Sequence, residues 1–128
     1  MKKIIIDTNV LLRFFLKDIP EQVEKTEQVM QAIEDNRMRG LISILVMNEL
    51  IWILRTYYKL DKSVYLPQIQ KLLAFKNIQI IEVDKQVIKS ILDIMFTKNI
   101  DFTDVYLSAI KGNNEVFSFD RNFKKLQK

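Results

Sequence analysis

Short apolar runs alternate with amphipathic stretches along this chain. Residues 2–6 contain the continuous β-branched run 4–6 after two lysines, which is typical of a short buried strand. The same pattern predicts three further strands, over residues 41–42, 78–83 and 116–119. Between the strands, apolar residues recur at helical spacing. This spacing predicts helices over residues 8–16, 20–36, 43–58, 62–75, 84–98 and 102–111, followed by a basic helical tail.

Several residues mark where these helices should begin and end. Ser43 and Asp84 are suited to cap helix N-termini, Pro20 suits a first helical turn, and Gly112 suits a helix end. Pro67 lies inside the predicted helix 62–75, so we expect a break or a late start there.

The alternation of strands and helices indicates an α/β fold with a mainly parallel sheet covered on both faces. The chain has no internal repeat, no low-complexity segment and no linker, which predicts one domain over residues 1–128. No apolar run reaches the roughly 18 residues of a membrane span, and no signal peptide is recognisable. These features predict a cytoplasmic protein without a membrane partner.

Composition narrows the chemistry that the chain can perform. It contains no histidine and no cysteine. Disulfides, thiolate catalysis and Ser-His nucleophiles are therefore excluded, and a zinc site is disfavoured. What remains are carboxylates, hydroxyls, amides, lysines or a hard metal ion.

Two carboxylates stand in apolar surroundings. Asp7 follows the first predicted strand, where it could either bind a ligand at the sheet edge or cap the next helix. Glu49 is the only charge in LISILVMNELIWIL, which predicts that it is buried and needs compensation. Either an ion pair with Arg13 or Arg55, or a shared metal ion, would supply that compensation.

Three more acids lie towards the end of the chain. Asp101 and Asp104 are three residues apart at a helix start, which places them on one face. Alternatively, the two negative charges could simply interact favourably with the positive end of the helix dipole. Asp120 follows the last predicted strand, where it could also be an ordinary turn aspartate.

A parallel α/β fold brings strand ends and the following helix starts to one sheet edge. Carboxylates gathered there repel one another unless a cation neutralises them. Without histidine or cysteine, ligation by oxygen alone points to Mg²⁺, with Mn²⁺ as a possible substitute. Such an ion can activate water and stabilise charge on a phosphodiester.

The segments IIIDTNVLL, SILVMNEL, DFTDVYLSA and FSFDRNF, in this order, resemble the PIN-domain nucleases, and among them the VapC-like toxins of toxin–antitoxin pairs. The resemblance spans almost the whole chain. It implies a three-layer α/β/α sandwich and a metal-dependent endoribonuclease that cuts RNA. It also implies a small antitoxin as a protein partner.

By motif position, the resemblance assigns metal binding and catalysis to Asp7, Glu49, Asp104 and Asp120. Asp101 matches an accessory metal-binding acid. Thr8, Asn9 and Ser118 would support the ligands or orient water. Many relatives carry an acid where this chain has Asn122, so we expect one Mg²⁺ and leave a second open.

Alternatives to a toxin are an RNA-processing PIN nuclease and a catalytically silent PIN-like binding module. A phosphatase of the haloacid-dehalogenase type is disfavoured, because it needs an acid at Asn9. The early helices carry many large apolar residues, from which we expect homodimer contacts and a partner groove. These residues are Phe14, Phe15, Trp52, Tyr57 and Tyr58.

The charge balance suits a polyanionic substrate. The chain has 20 basic and 16 acidic residues, a net charge of +4. Without the four acids assigned to the site, 12 acidic and 20 basic residues remain, which is a net charge of +8 for the rest of the chain. A basic surround of this kind favours a polyanion such as RNA. The tail adds four cations, which could contact RNA or simply be solvated: Arg121, Lys124, Lys125 and Lys128.

Overall fold

A computed structural model describes residues 1–126 of the chain. Three strands and six α-helices alternate, and a 3₁₀ helix, Arg121–Lys125, follows them. The strands are β1 (Lys2–Ile5), β2 (Met38–Ile42) and β3 (Ile78–Ile80). The helices are α1 (Thr8–Leu16), α2 (Pro20–Glu34), α3 (Ile44–Thr56), α4 (Lys62–Leu73), α5 (Lys85–Thr97) and α6 (Phe102–Ile110).

The strands form one parallel sheet in the order β1-β2-β3. Ile4 pairs with Gly40, which in turn pairs with Ile78. Each connection between neighbouring strands contains helices, as parallel pairing requires. The predicted α/β class with a parallel sheet is confirmed.

The two faces of the sheet are not equally covered. Ile6, Ile42 and Ile80 are buried on one face. On the other face Ile5 is 72% exposed and Gln79 is exposed as well. The residues of the buried face belong to one core cluster, which also contains the inner faces of α2, α3, α4 and α5.

Gly40 is required where the sheet meets that core. A Cβ at this position would lie 2.7 Å from Cδ1 of Ile6 and 2.9 Å from Cδ1 of both Ile33 and Ile78. The glycine lets these three isoleucines pack directly against the backbone of the central strand, β2.

The strand predicted over residues 116–119 is absent. This segment is irregular, with Phe117 89% and Phe119 94% exposed. A β-branched and aromatic run makes a strand only where a neighbouring strand pairs with it. Among the described residues, β1 pairs only with β2, so the outer edge of β1 is open and residues 116–119 pair with no strand.

The break expected at Pro67 is also wrong, because α4 continues through it. The proline removes one hydrogen bond, to the carbonyl of Ser63, and that residue is exposed, so water can satisfy the carbonyl. Other expectations hold: Ser43 and Asp84 cap α3 and α5, and Gly112 follows α6 with φ of 57°.

The basic tail forms the 3₁₀ helix and carries Arg121, Lys124 and Lys125, all exposed. Lys128, predicted as part of the same tail, lies outside the described residues. Within residues 1–126, no helix is long and apolar enough to cross a membrane.

Candidate metal and nucleic-acid site

Asp101 and Asp104 occupy the start of α6. Asp101 is its N-terminal capping residue and is exposed, while Asp104 lies in the first turn and is half-buried. The apolar Phe102 and Val105 are buried beneath them and fix this end of the helix in the core. The predicted placement of the two acids on one side of a helix start is confirmed.

Asp120 follows the irregular segment that comes after α6, and the chain there returns to the start of α6. Its Oδ1 accepts a hydrogen bond of 2.9 Å from the backbone N–H of Asn122, which caps the 3₁₀ helix. Its own N–H donates to Oγ of Ser118, also at 2.9 Å. Ser118 thus orients the backbone of Asp120, although Asp120 follows no strand, contrary to expectation.

A cavity of about 260 Å³ joins these three acids to α3. Asp101, Asp104 and Asp120 line one part of it. Asn48, Trp52 and Arg55 of α3 line the other, and Thr103 Oγ1 lies 3.3 Å from Asn48 Oδ1 across the junction. The packing of α6 against α3 therefore creates a largely polar pocket with carboxylates at one end.

The carboxylates in this cavity influence one another. Burial raises the pKa of Asp104, and the neighbouring charges of Asp120 and Asp101 raise it further. The side-chain amide of Asn122 counters part of this increase in the pKa of Asp104. Asn122 is therefore a neighbour of Asp104, whereas the sequence analysis considered it only as a position where many relatives carry an acid.

Asp101 has a partner that the sequence did not reveal. Arg55 Nη1 donates to Asp101 Oδ1 at 2.6 Å, across the α3–α6 junction. The Asp101 side chain makes no capping hydrogen bond to α6. Asp101 therefore has a third possible role besides metal ligand and helix cap: it positions Arg55 at the cavity.

Asp7 stands apart from this cavity. It occupies the N-terminal capping position of α1 and is exposed, yet its side chain makes no capping hydrogen bond. Only its backbone carbonyl accepts, from Val10 N at 3.1 Å and from Leu11 N at 3.4 Å. Capping chemistry therefore does not account for the carboxylate. Thr8, predicted to support it, is buried, and Asn9 lies in a separate cavity beside Arg13.

Glu49 is exposed, which corrects the expectation that it is buried. Met47 and Leu50 on either side of it in sequence are buried, whereas Glu49 lies on the outer side of α3, as do the exposed Leu45 and Trp52. Neither proposed arginine partner pairs with it. Arg13 Nε lies 3.2 Å from Asp18 Oδ1, and Arg55 pairs with Asp101.

The donor chemistry of the cavity fits a hard divalent cation only in part. Asp104 and Asp120 supply adjacent carboxylates whose mutual repulsion a cation would relieve. Asp7 and Glu49 do not line this cavity. Within residues 1–126, no group of three or more acids is arranged to hold a metal ion. The structure thus assembles part of the predicted ligand set.

Sequence reasoning missed the contribution of α3 to the site. Asn48, Trp52 and Arg55 recur at helical spacing, so a helical projection of residues 43–58 would have placed them on one face. It also missed Glu82, which follows β3. The Glu82 carboxylate accepts from Ser43 Oγ at 2.6 Å and from Ile44 N at 2.8 Å, and so anchors the start of α3.

Comparison with known proteins identifies the family. The model of the PIN domain family matches residues 4–128, and the chain belongs to this family. PIN domains are typically metal-dependent nucleases. Neither the curated proteins nor the solved structures gave a match to this chain.

Proposed function

We propose that this chain is a single-domain, metal-dependent endoribonuclease and the toxin of a toxin–antitoxin pair. The observation that carries the proposal is the pairing of Asp104 and Asp120 in one cavity of a PIN-domain chain. The wider resemblance to VapC-like toxins supports the toxin assignment, and action in the cytoplasm is part of the same proposal.

In this proposal Asp104 and Asp120 hold Mg²⁺, or Mn²⁺ in its place, together with Asp7, Glu49 and the accessory Asp101. A bound ion of this kind supplies an activated water and stabilises charge on the phosphodiester. The remaining chemistry belongs to the chain. The carboxylates accept the proton of the attacking water, and Asn122 and Ser118 hold Asp104 and Asp120 in place.

The assignment of Thr8 and Asn9 as supporting residues for Asp7 belongs to the same proposal. Neither Asp7 nor Glu49 lines the cavity that holds Asp104 and Asp120, so their part in the proposal rests on the sequence motifs.

A small antitoxin and a second copy of the chain are the proposed protein partners. The antitoxin proposal is supported by a cavity of about 360 Å³, lined by Phe14 and Phe15 of α1 and by Leu72 and Phe75 at the end of α4. Apolar rings of this kind suit the apolar face of a short helix. The exposed Tyr57 is available for a homodimer contact.

The direct test incubates the purified chain with transfer, ribosomal and messenger RNA in Mg²⁺, in Mn²⁺ and in EDTA. Internal cuts that require the divalent ion and stop in EDTA are expected. In the cell, expression should arrest growth, and the Asp104→Asn variant should not. Intact RNA under every metal condition would contradict the nuclease assignment, whereas cleavage without growth arrest would favour RNA processing outside a toxin pair.

A catalytically silent PIN-like module is the second candidate. It is favoured by the absence of a three-acid metal group from residues 1–126 and by the exposure of Asp7 and Glu49. Such a module would bind RNA equally well with and without a divalent ion and would leave it intact.

A further inference from the structure

Trp52 and Arg55 border the carboxylate cavity from α3. They are three residues apart, so they lie next to each other on one face of the helix. Ile51, which precedes Trp52, and Leu54, which precedes Arg55, are buried and hold this part of α3 in the core. The two side chains are therefore presented to the cavity by a firmly packed helix.

Trp52 is 57% exposed, and its surroundings in the cavity are mainly polar. Three carboxylates, an amide, a hydroxyl and a guanidinium share the lining with it, and the two apolar members, Ile51 and Phe102, are almost fully buried. A wall of this composition does not suit the apolar face of a protein helix. It suits a flat ring that carries polar edges and an attached charge, which describes a nucleotide.

Arg55 is the only cation among the residues that line this cavity. Its bond to Asp101 fixes the direction of the guanidinium, and the Arg55 side chain is 40% exposed. A guanidinium has five N–H donors, and Asp101 is its only hydrogen-bond partner within residues 1–126. The remaining donors can bind a phosphate oxygen, for which the planar fork is well shaped.

We propose that Trp52 and Arg55 form a nucleotide-binding element for single-stranded RNA beside the carboxylates. A base stacks on the indole of Trp52, and the adjoining phosphate binds Arg55. This contact offsets the repulsion between the RNA backbone and the acids, and it directs a phosphodiester towards Asp104 and Asp120. The inference rests on the proposed function in that RNA is the ligand.

The preference for a single strand follows from the stacking contact. A base in a duplex is stacked on its neighbours and offers no free face, whereas a base in a loop or an open strand does. The element should therefore bind unpaired RNA and discriminate weakly between bases, because every base has a stacking face.

The chain contains a single tryptophan, so its fluorescence reports on this position alone. Short oligouridylate and oligoadenylate are titrated into the metal-free protein in EDTA, and a duplex of equal length serves as comparison. Polarisation of end-labelled RNA measures binding independently. We expect quenching of Trp52 emission with the same Kd as the polarisation signal for the single strands, and binding at least about tenfold weaker for the duplex.

Variants then test each side chain. Trp52→Ala should weaken the Kd by about tenfold or more, and Trp52→Phe should restore part of the loss because a ring remains. Arg55→Gln should weaken binding and reduce its salt dependence, and Arg55→Lys should lose less. Phe96→Ala is the matched control: Phe96 is 51% exposed and does not line the cavity. It should leave the Kd unchanged.

The outcomes separate this inference from the nuclease proposal. If RNA binds but Trp52 emission and the Kd of Trp52→Ala are unchanged, the nucleotide element is contradicted while cleavage can still occur. Failure of any RNA to bind also contradicts it. If Trp52→Ala instead dissociates a dimer in light scattering, the surface is a protein interface and the inference is wrong. Binding as expected, with no cleavage in Mg²⁺, would contradict only the nuclease proposal.

Discussion

Asp104 and Asp120 share one cavity although 15 residues separate them in sequence. Burial raises the pKa of Asp104, and the charge of Asp120 adds to this effect. The local fold thus keeps two acids together at an energetic cost in the metal-free chain. A cation that removes this repulsion would be bound most readily here.

Replacement of Asp104 by asparagine should reduce RNA cleavage and at the same time increase thermal stability. Asp104→Asn should reduce Mg²⁺-dependent RNA cleavage by at least about 100-fold, because it removes a proposed ligand. In metal-free buffer it should raise Tm by about 2–4 °C, because one of two neighbouring charges is gone. Differential scanning calorimetry and an RNA cleavage assay provide the two measurements.

Asp7→Asn provides a contrast. It should also reduce cleavage, since the resemblance assigns Asp7 to metal binding. Its effect on Tm should be smaller than that of Asp104→Asn, because Asp7 is exposed and outside the shared cavity. Full Mg²⁺-dependent cleavage by Asp7→Asn would remove Asp7 from the catalytic set.

Glu82 should make stability depend on pH. Partial burial opposes its ionisation, but the hydrogen bonds from Ser43 and Ile44 outweigh this and lower the pKa of Glu82 below 4.5. A lowered pKa in the folded state gives stability that is present above about pH 4.5 and is lost as the pH falls through the folded pKa.

The Glu82→Gln variant should therefore lose about 1 kcal/mol of unfolding free energy at pH 7, the typical value of an anion or cap at a helix N-terminus. The loss should shrink below the folded pKa. Urea unfolding at several pH values measures it, with Glu24→Gln as an exposed control. A loss of equal size at every pH would show that charge on Glu82 is irrelevant.

Gly40 should tolerate little added volume. Gly40→Ala places a methyl group under 3.0 Å from three isoleucine Cδ1 atoms, which are movable side-chain ends, so a cost of about 1 kcal/mol is expected. Gly40→Val should cost more, about 3 kcal/mol, because its branches have no space. Urea unfolding gives both values, and a neutral Gly40→Val would contradict the packing described for β2.

The elements of the fold were largely predictable because they depend on local patterns. Thr8–Leu16 was predicted to the residue, and the caps at Ser43 and Asp84 follow from side-chain chemistry that acts two residues away. Residues 116–119 were not predictable in this way, since a strand depends on a distant partner.

Part of the candidate site could be predicted from residue types. The absence of histidine and cysteine directed attention to acids, and Asp101, Asp104 and Asp120 line one cavity. Glu49 was misjudged because apolar neighbours in sequence do not decide which side of a helix faces the core. Arg55 and Trp52 were not assigned to the site because their contacts cross between α3 and α6.

The most direct test of the account compares Mg²⁺-dependent cleavage of one RNA by the wild-type chain, Asp104→Asn and Asp93→Asn. Asp93 is an exposed acid on α5 that does not line the carboxylate cavity. We predict metal-dependent cleavage by the wild-type chain and by Asp93→Asn, and its loss in Asp104→Asn. Equal cleavage by all three proteins would contradict the assignment of the Asp104–Asp120 cavity as the catalytic site.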